Sequence, residues 1–356
     1  MAKHSIEEVD RLMIQSGFDL RKLEFKRCLE DISSRDCSLA EIGDRSVFAP
    51  FSYFGGKRTV AHVVWKFFGS EVENYIEPFA GGAAVLLGRP GPYLTVQKRY
   101  VETINDKDAF VINAWRAMKY ADPRELAAEA EIINSQQHLD ALHRKLINTY
   151  NLLNRNIRSD ELYFDLKLAA YWVAGMKHTI GAGFAVPEAY KRKMSPRALI
   201  SGWPLGSAEA CMNYYNYRLK YVNLMSCDWH EAIKSRTRTT LRGISAVFID
   251  PPYPDGIRVP CYREDSGKVS DQAAQWAIET IAKDGGGKFR IAFCGYRYLY
   301  AELFEAAGWR MHAWEGGGYG LIGNGLGRSN AEQEAIWFSP QNKEVILEKR
   351  PDSNLS

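Results

Sequence analysis

The chain has 356 residues, of which 46% are hydrophobic and 25% are charged. This composition is typical of a soluble protein with room for one large domain carrying an insertion, or for two domains. No apolar run approaches the roughly 20 residues of a membrane span, and the first residues lack a signal-like apolar core, so we expect a cytoplasmic protein without a membrane partner. The six cysteines form no Cys-x-x-Cys pair, which argues against a disulfide frame or a metal site.

Charge is unevenly distributed along the chain. The formal net charge is only +3, yet residues 141 to 200 contain ten Lys or Arg against four Asp or Glu. That window is strongly basic, while the rest of the chain is net negative. A local excess of this kind favours a polyanionic partner such as nucleic acid.

Residues 1 to 46 carry apolar residues at helical spacing among charged ones. Ser5 and Glu8 have the spacing of a capping box. We expect an N-terminal helical extension of one or two amphipathic helices that packs on the main body. A separate partner-binding arm is the alternative.

The segment from Pro50 to Lys57 reads PFSYFGGK. Gly55 and Gly56 allow backbone amides to approach a ligand, Lys57 is suited to a carboxylate, and Tyr53 offers an aromatic ring. A tight turn before a helix explains the same glycines without a ligand. The segment alone does not decide between these interpretations.

A sharper pattern follows at residues 73 to 87, ENYIEPFAGGAAVLL. A short strand ends in a glycine turn that opens an Ala- and Leu-rich helix, the arrangement by which doubly wound folds present backbone amides to a nucleoside-containing cofactor. The turn lacks the three-glycine dinucleotide fingerprint, which counts against an NAD-dependent oxidoreductase. A second strand at residues 100 to 105 ends at Asp106, where an acid commonly binds ribose hydroxyls. A cap for a helix at residues 109 to 112 is a compatible role for Asp106.

Residues 113 to 220 differ in character from the segments on either side. Helical patterns cover residues 124–133, 138–154 and 160–175, with Arg and Asn side chains among aromatic rings. Such mixtures suit phosphate contact and base-edge reading, although a solvated helical face has a similar composition. The candidate DNA-binding residues of this region are Arg155, Arg158, Lys191, Arg192 and Lys193.

The sheet pattern resumes with a strand that ends at Asp228. A buried strand at residues 246 to 249 then stops at Asp250-Pro251-Pro252-Tyr253, which places the acid at the carboxyl edge of the sheet. The two prolines make a stiff corner with exposed carbonyl groups. This corner is suited to hold an amino group between Asp250 and the Pro251 carbonyl while Tyr253 stacks on a planar base. A polar turn after a strand is the alternative.

The rest of the chain predicts the edge of the same sheet. A helix at residues 270–282, a strand at 288–294 and a helix at 299–307 precede an antiparallel pair at 309–314 and 334–338. The glycine-rich stretch between the paired strands is expected to form a loop. It is suited to close over a substrate, with Arg328 on a phosphate.

These motifs, in this order, resemble the Dam-type (alpha-group) family of DNA adenine methyltransferases. The matching segments are YFGGK at residues 53–57, EPFAGG at 77–82, IND at 104–106, a long insertion, and DPPY at 250–253, and residues 328–338 are similar to the family's closing hairpin. The resemblance implies an α/β fold: a Rossmann-like methyltransferase sheet of seven strands with helices on both faces, dependent on S-adenosylmethionine.

The family's site residues carry over onto the positions that match its motifs. The resemblance implies that S-adenosylmethionine is held by Tyr53, Gly55, Gly56, Lys57, Glu77, Pro78, Phe79, Ala80, Gly81, Gly82, Asp106 and Asp228. It implies that Asp250, Pro251, Pro252 and Tyr253 meet the target base. Residues 113 to 220 would then be an inserted, mostly helical target-recognition domain. The catalytic domain would comprise residues 47–112 and 221–345, followed by a C-terminal tail at 346–356.

The expected reaction is site-specific methylation of the N6 amine of a flipped adenine in double-stranded DNA. A cognate restriction nuclease is a further expected partner, as in restriction-modification systems. Methylation of RNA, cytosine or a glutamine side chain stays open within the same fold. Cytosine enzymes more often carry Ser, and glutamine enzymes Asn, at the position of Asp250, so the acid favours adenine. A catalytically silent DNA-binding relative is the alternative from a different class.

Overall fold

The computed structural model describes residues 49–51, 53, 55–90, 101–179, 184, 203, 207–237, 243–253, 268–284, 287–313 and 333–341. Both glycine turns and the Asp-Pro-Pro-Tyr corner lie within these residues. The predictions for residues 1 to 46, for Lys191, Arg192 and Lys193, for the glycine-rich loop with Arg328, and for the tail from residue 346 lie outside them.

A seven-stranded sheet forms the centre of the molecule. Its strands are β1 (Val72–Glu77), β2 (Val101–Asn105), β3 (Val222–Met225), β4 (Ile244–Ile249), β5 (Phe289–Tyr296), β6 (Arg310–Ala313) and β7 (Glu334–Phe338). The order is β3-β2-β1-β4-β5-β7-β6. The pairs among β1 to β5 are parallel, and β7 pairs antiparallel with both β5 and β6. The seven strands and the closing antiparallel pair predicted from the sequence are thereby confirmed.

Helices follow most of the strands. The described helices are α1 (Ala61–Phe68), α2 (Ala84–Leu87), α3 (Ala109–Tyr120), α4 (Pro123–Ala130), α5 (Gln136–Ser159), α6 (Leu166–His178), α7 (Ala208–Arg218), α8 (Trp229–Thr237), α9 (Val269–Asp284) and α10 (Arg297–Ala306), with a 3-10 turn at Arg58–Val60. None of them combines the length and hydropathy that a bilayer crossing needs.

The two faces of the sheet are both buried. Along β4, Ala246 and Phe248 belong to one apolar cluster, whereas Val247 and Ile249 belong to the other. A strand covered on both sides has no solvated face, which explains why this segment is a continuous apolar run rather than an alternating one. The parallel order reverses at β1, which has β2 on one side and β4 on the other. Ligands of open α/β sheets bind at such a switch point, outside the carboxyl ends of the strands.

Two local predictions about the helices are corrected. Asp108, not Asp106, caps α3, because its side chain accepts a hydrogen bond from the Phe110 amide. The helix predicted from residue 160 begins only at Leu166, since Asp165 is its cap and accepts from the Leu168 amide. In both cases the sequence offers more than one acid at the helix start, and the backbone geometry selects the later one.

The helical region between β2 and β3 is continuous with the rest of the core. The predicted boundary between residues 112 and 113 falls inside α3. Residues of α3, α5, α6 and α7 share one apolar cluster with β1 and β4. The boundary is therefore not a linker. The assignment of this region to target recognition stays a prediction.

Candidate functional site

The turn after β1 is held in an unusual backbone conformation. Gly81 and Ala83 both have positive φ angles, +44° and +47°. The Gly81 amide donates to Asp106 Oδ2 at 2.9 Å, and the Gly81 carbonyl accepts from Trp115 Nε1 at 2.9 Å. A Cβ added at Gly81 would overlap the ring of Tyr53. Only glycine meets both constraints, so the turn depends on this residue.

Asn105 joins the carboxyl ends of three neighbouring strands. Its Nδ2 donates to the carbonyls of Pro78 (3.0 Å) and Cys227 (3.2 Å), and its Oδ1 accepts from the Cys227 amide (3.0 Å). These bonds fix the ends of β1, β2 and β3 relative to one another. Sequence reasoning did not select Asn105. A polar amide at the last position of a buried strand was the available signal.

One cavity opens at this edge of the sheet. All twelve residues predicted to hold a cofactor line it, together with Asp250 and Pro252. The further lining residues that the sequence did not single out are Ala49, Arg58, Ala83, Ala84, Asn105, Lys107, Asp108, Cys227, Trp229, Phe248 and Val269. Trp229 stacks near Phe79 with ring centroids 6.0 Å apart and planes at 29°. The cavity thus combines apolar rings with a few converging polar groups, which is the usual constitution of a small-molecule site.

Lys57 and Asp250 form an ion pair in the wall of the cavity. The Nζ to Oδ2 distance is 2.8 Å, and Nζ also donates to the Gly55 carbonyl at 2.6 Å. Burial lowers the pKa of Lys57, but Asp250 and then Glu334 outweigh it, so the net direction is upward. Burial raises the pKa of Asp250 although Lys57 acts in the opposite direction. The lysine that the sequence assigned to the cofactor therefore has Asp250, the predicted catalytic acid, as its carboxylate partner.

Glu77 and Glu334 interact electrostatically with this pair, and Asp106 lines the same cavity. Burial raises the pKa of Glu77 to about 8, against hydrogen bonds donated by the Tyr75 hydroxyl and the Leu86 amide. Burial raises the pKa of Asp106 to about 6 despite several backbone donors. Burial also raises the pKa of Glu334, which sequence reasoning did not select. Perturbed carboxyl groups gathered in one cleft mark a candidate functional site.

Tyr253 and Pro251 do not line the cavity, in contrast to Asp250 and Pro252. Tyr253 is only 6% exposed. Its ring lies 4.3 Å from the ring of Tyr296 at 47°, and Lys57 Nζ lies 5.9 Å from its centroid. The predicted stacking partner of a base is thus packed against another tyrosine.

The predicted DNA-binding residues on α5 are accessible. Arg155 and Arg158 are exposed, and Arg158 Nε donates to Asn154 at 2.9 Å. In contrast, Arg116 is buried and donates to the carbonyls at residues 157, 160 and 163. Arg116 therefore anchors the end of α5, while Arg155 and Arg158 keep their charges at the surface.

Comparison with known proteins gives one family. Residues 53–204 match the model of the family described as D12 class N6 adenine-specific DNA methyltransferase. No curated protein is significantly similar to the chain in sequence. The matched segment includes both glycine turns, Asp106 and most of the helical region, and it ends before Asp250.

Proposed function

We propose that this chain, whose residues 53–204 match the D12 class N6 adenine-specific DNA methyltransferase family, transfers a methyl group from S-adenosylmethionine to the N6 amine of an adenine extruded from duplex DNA at a specific sequence. The observation that carries this proposal is the single cavity shared by the Gly81 turn, Asp106 and Asp250. A donor pocket and an amine-binding acid in one cavity are what direct transfer requires, since the reacting atoms must lie in contact.

The residues present fit the cofactor. S-adenosylmethionine would supply the methyl group as an electrophilic substituent of a sulfonium. Asp106 accepts from the Gly81 and Asp108 amides, and the Lys107 amide also acts on it. An acid at the end of the second strand is the usual partner of ribose hydroxyls. Phe79 and Trp229 suit a planar adenine ring. Gly81 keeps the backbone close to the ligand because no side chain fits there.

Asp250 would orient the amine of the target base. Lys57 holds Oδ2, and among the described residues Oδ1 accepts no hydrogen bond. The amine would donate one proton to Oδ1 and the other to the Pro251 carbonyl. Both bonds favour a pyramidal nitrogen whose lone pair is free to attack, whereas in the isolated base that pair is delocalised into the ring.

Asp250 is also suited to receive the proton that the methylated amine must release. Burial raises its pKa, so it is a better base than an exposed aspartate. Lys57 keeps its own proton, because its pKa is raised by the neighbouring carboxylates. The ammonium therefore fixes the acid in place without competing for the transferred proton.

Base extrusion needs compensation by the protein. Unpairing costs a few kcal/mol, and stacking on an aromatic ring returns about 1–3 kcal/mol. We assign this role to Tyr253, which follows Pro252 of the cavity wall and packs against Tyr296. Arg155, Arg158, Lys191, Arg192, Lys193 and Arg328 are proposed to contact the phosphates.

The decisive experiment compares Asp250→Ala with Asp228→Ala. Both acids follow strands at the same edge and line the cavity. We expect Asp250→Ala to bind S-adenosylmethionine with near wild-type affinity and to lose methyl transfer to DNA. We expect Asp228→Ala to weaken cofactor binding and to recover turnover at saturating cofactor. Near-normal turnover of Asp250→Ala would reject the assignment.

The substrate polymer and the recognised sequence are settled by a second experiment. Unmethylated genomic DNA is treated with the enzyme and S-adenosylmethionine, and modified adenines are mapped by sequencing, with RNA treated in parallel. A reproducible short DNA motif is the expected result. Labelling of RNA alone would assign the same fold to another amino-group substrate. A cognate nuclease would be sought as an activity that cleaves the same motif when it is unmethylated.

A further inference from the structure

Three tyrosines lead from the catalytic corner to the protein surface. Tyr253 lies against Tyr296 with ring centroids 4.3 Å apart. Tyr296 stacks on Tyr298 at 5.7 Å, with ring planes within 10° of each other. Tyr253 and Tyr296 are buried, with 6% and 4% of their surface exposed, whereas Tyr298 is 57% exposed. The outermost ring is therefore supported from beneath and open to solvent.

The open ring belongs to a short exposed segment at the carboxyl edge of the sheet. Arg297, Tyr298 and Leu299 directly follow β5 and are all exposed, whereas Tyr300 turns back into the core. The Arg297 amide donates to the Gln333 carbonyl at 2.8 Å. This bond fixes the start of α10 to the residue that precedes β7. The segment is thus held on rigid elements, on the side of the sheet where Asp250 lies.

We propose that Tyr298 and Arg297 form a contact with the DNA substrate, in which the Tyr298 ring stacks on an unstacked base and the Arg297 guanidinium meets a phosphate. This inference rests on the proposed function. Bases inside an intact duplex cover each other's faces, but extrusion of the target base uncovers one face of each base that flanked it. The extruded base itself lies at Tyr253, and one of the uncovered faces is the proposed partner of Tyr298. Tyr298 is in contact, through Tyr296, with the residue proposed to receive the extruded base.

The positive charge of Arg297, which precedes Tyr298 in the sequence, favours DNA over an apolar protein as the partner of this segment. An arginine adjacent to an aromatic ring is the usual pairing at single-stranded nucleic-acid contacts, where one binds the backbone and the other stacks. The exposed acids of α10, Glu302 and Glu305, lie one and two turns further along the helix. The contact is therefore confined to the first turn.

The test uses the full-length protein and a duplex that the wild type methylates. Tyr298→Ala removes the ring, and Tyr298→Phe keeps it. Tyr221 is a matched control, because it is 55% exposed and precedes the first residue of β3, at the opposite edge of the sheet. We expect Tyr298→Ala to raise the Kd for this duplex between about 5- and 150-fold. Tyr298→Phe and Tyr221→Ala should remain near wild type, and the Kd for S-adenosylmethionine should not change in any variant.

A second variant separates the phosphate contact from the stacking. We expect Arg297→Gln to reduce the slope of log K against log salt by about 0.9, the value for one lost phosphate contact, while Tyr298→Ala leaves the slope unchanged. An unchanged slope for Arg297→Gln would overturn the phosphate contact. An unchanged DNA Kd for Tyr298→Ala would overturn the stacking. So would a fall in kcat with normal DNA binding, which would make the ring a support for Tyr253 only.

The proposed function and this inference fail separately. If the wild type methylates no DNA, the proposed function is rejected before any variant is compared. If the wild type methylates DNA and Tyr298→Ala binds it equally well, only this inference is rejected. Thermal unfolding of each variant checks that the fold is retained, and Tyr298→Phe provides a folded protein with the same backbone.

Discussion

Two groups of buried carboxylates near β1 differ in how completely neighbouring cations and hydrogen-bond donors offset the loss of water. In the first, Glu102 lies between two arginines: Arg218 Nη1 is 2.7 Å from Oε2 and Arg89 Nη1 is 3.1 Å from Oε1. Burial alone would raise the pKa of Glu102, but the two arginines lower it below its ordinary value. In the second group, the cavity acids Asp250, Asp106 and Glu77 have raised pKa values even with their partners in place.

This difference separates a structural cluster from a binding site. Arg218 also donates to the Leu86 carbonyl at 2.8 Å, and Arg89 donates to the Val72 carbonyl at 2.8 Å, so the first cluster ties α2 to β1 and β2. The two arginines outweigh the cost of burying the Glu102 carboxylate, so this carboxylate needs no ligand to stabilise it. The cavity acids are desolvated without full compensation, which is unfavourable unless a bound molecule supplies the missing donors.

Removing one arginine from the cluster around Glu102 should lower the free energy of unfolding by the largest amount. Arg218→Met leaves Glu102 buried beside a single arginine, and removing one partner of a buried pair costs about 3–5 kcal/mol. The exposed pair Arg124–Glu209 is the control, at 3.1 Å with Arg124 82% exposed. Arg124→Met should cost less than about 1 kcal/mol. Urea unfolding measures both variants, and equal midpoints would contradict the distinction between the two pairs.

The glycine turn offers a sharper comparison between two adjacent residues. Gly81 has a positive φ and no room for a Cβ, whereas Gly82 has neither constraint. Gly81→Ala places a side chain at positive φ, which costs about 1–2 kcal/mol, and it also overlaps Tyr53. Gly82→Ala meets only ordinary contacts, 3.5 Å to Tyr53 Cβ and 3.7 Å to Ala49 Cβ. We expect Gly81→Ala to weaken S-adenosylmethionine binding about tenfold or more, and Gly82→Ala to weaken it less, because only the first substitution strains the backbone and displaces Tyr53. Calorimetric titration of both variants decides, and matched affinities would show that the turn adapts.

The sequence predicted the sheet and the cavity because both depend on local patterns. Apolar runs, glycine turns and acids at strand ends predicted a site at the carboxyl edge of the sheet, since parallel strands bring these ends to one edge whatever the intervening chain does. The full set of twelve lining residues came from the resemblance to the methyltransferase family. The Lys57–Asp250 pair was not predicted. The two residues are 193 positions apart in the sequence, and each had a local explanation as a ligand of something else.

Features that depend on packing were also missed. That Tyr253 stacks on a base stays a prediction, but its contact with Tyr296 appears only in the tertiary structure. Residues 113 to 220 were predicted as an inserted target-recognition domain, which stays a prediction, but the sequence did not show that α3 crosses the predicted boundary and packs in the common core. Composition records which residues a segment contains and carries no information on what they contact.

Glu77 tests whether the cavity acids destabilise the protein without a ligand. Its folded pKa is about 8 and its ordinary value is 4.5. Between these values the folded protein binds one more proton than the unfolded chain, so the free energy of unfolding falls as pH rises. Glu77→Gln removes this dependence. From pH 6 to pH 7, the wild type should lose about 1.4 kcal/mol relative to the variant. Parallel stability profiles for the two proteins would contradict the raised pKa.

The smallest expected effect concerns Asp106 and the cofactor. A carboxyl group with a pKa of about 6 is mostly ionised at pH 7 and mostly protonated at pH 5.5. If the ionised form accepts the ribose hydroxyls, the affinity for S-adenosylmethionine should fall about fourfold over this interval. Asp106→Asn should bind weakly at both pH values and lack that fall. An equal fall in the variant would place the titrating group elsewhere, and a constant wild-type affinity would mean that the cavity does not use this acid to hold the cofactor.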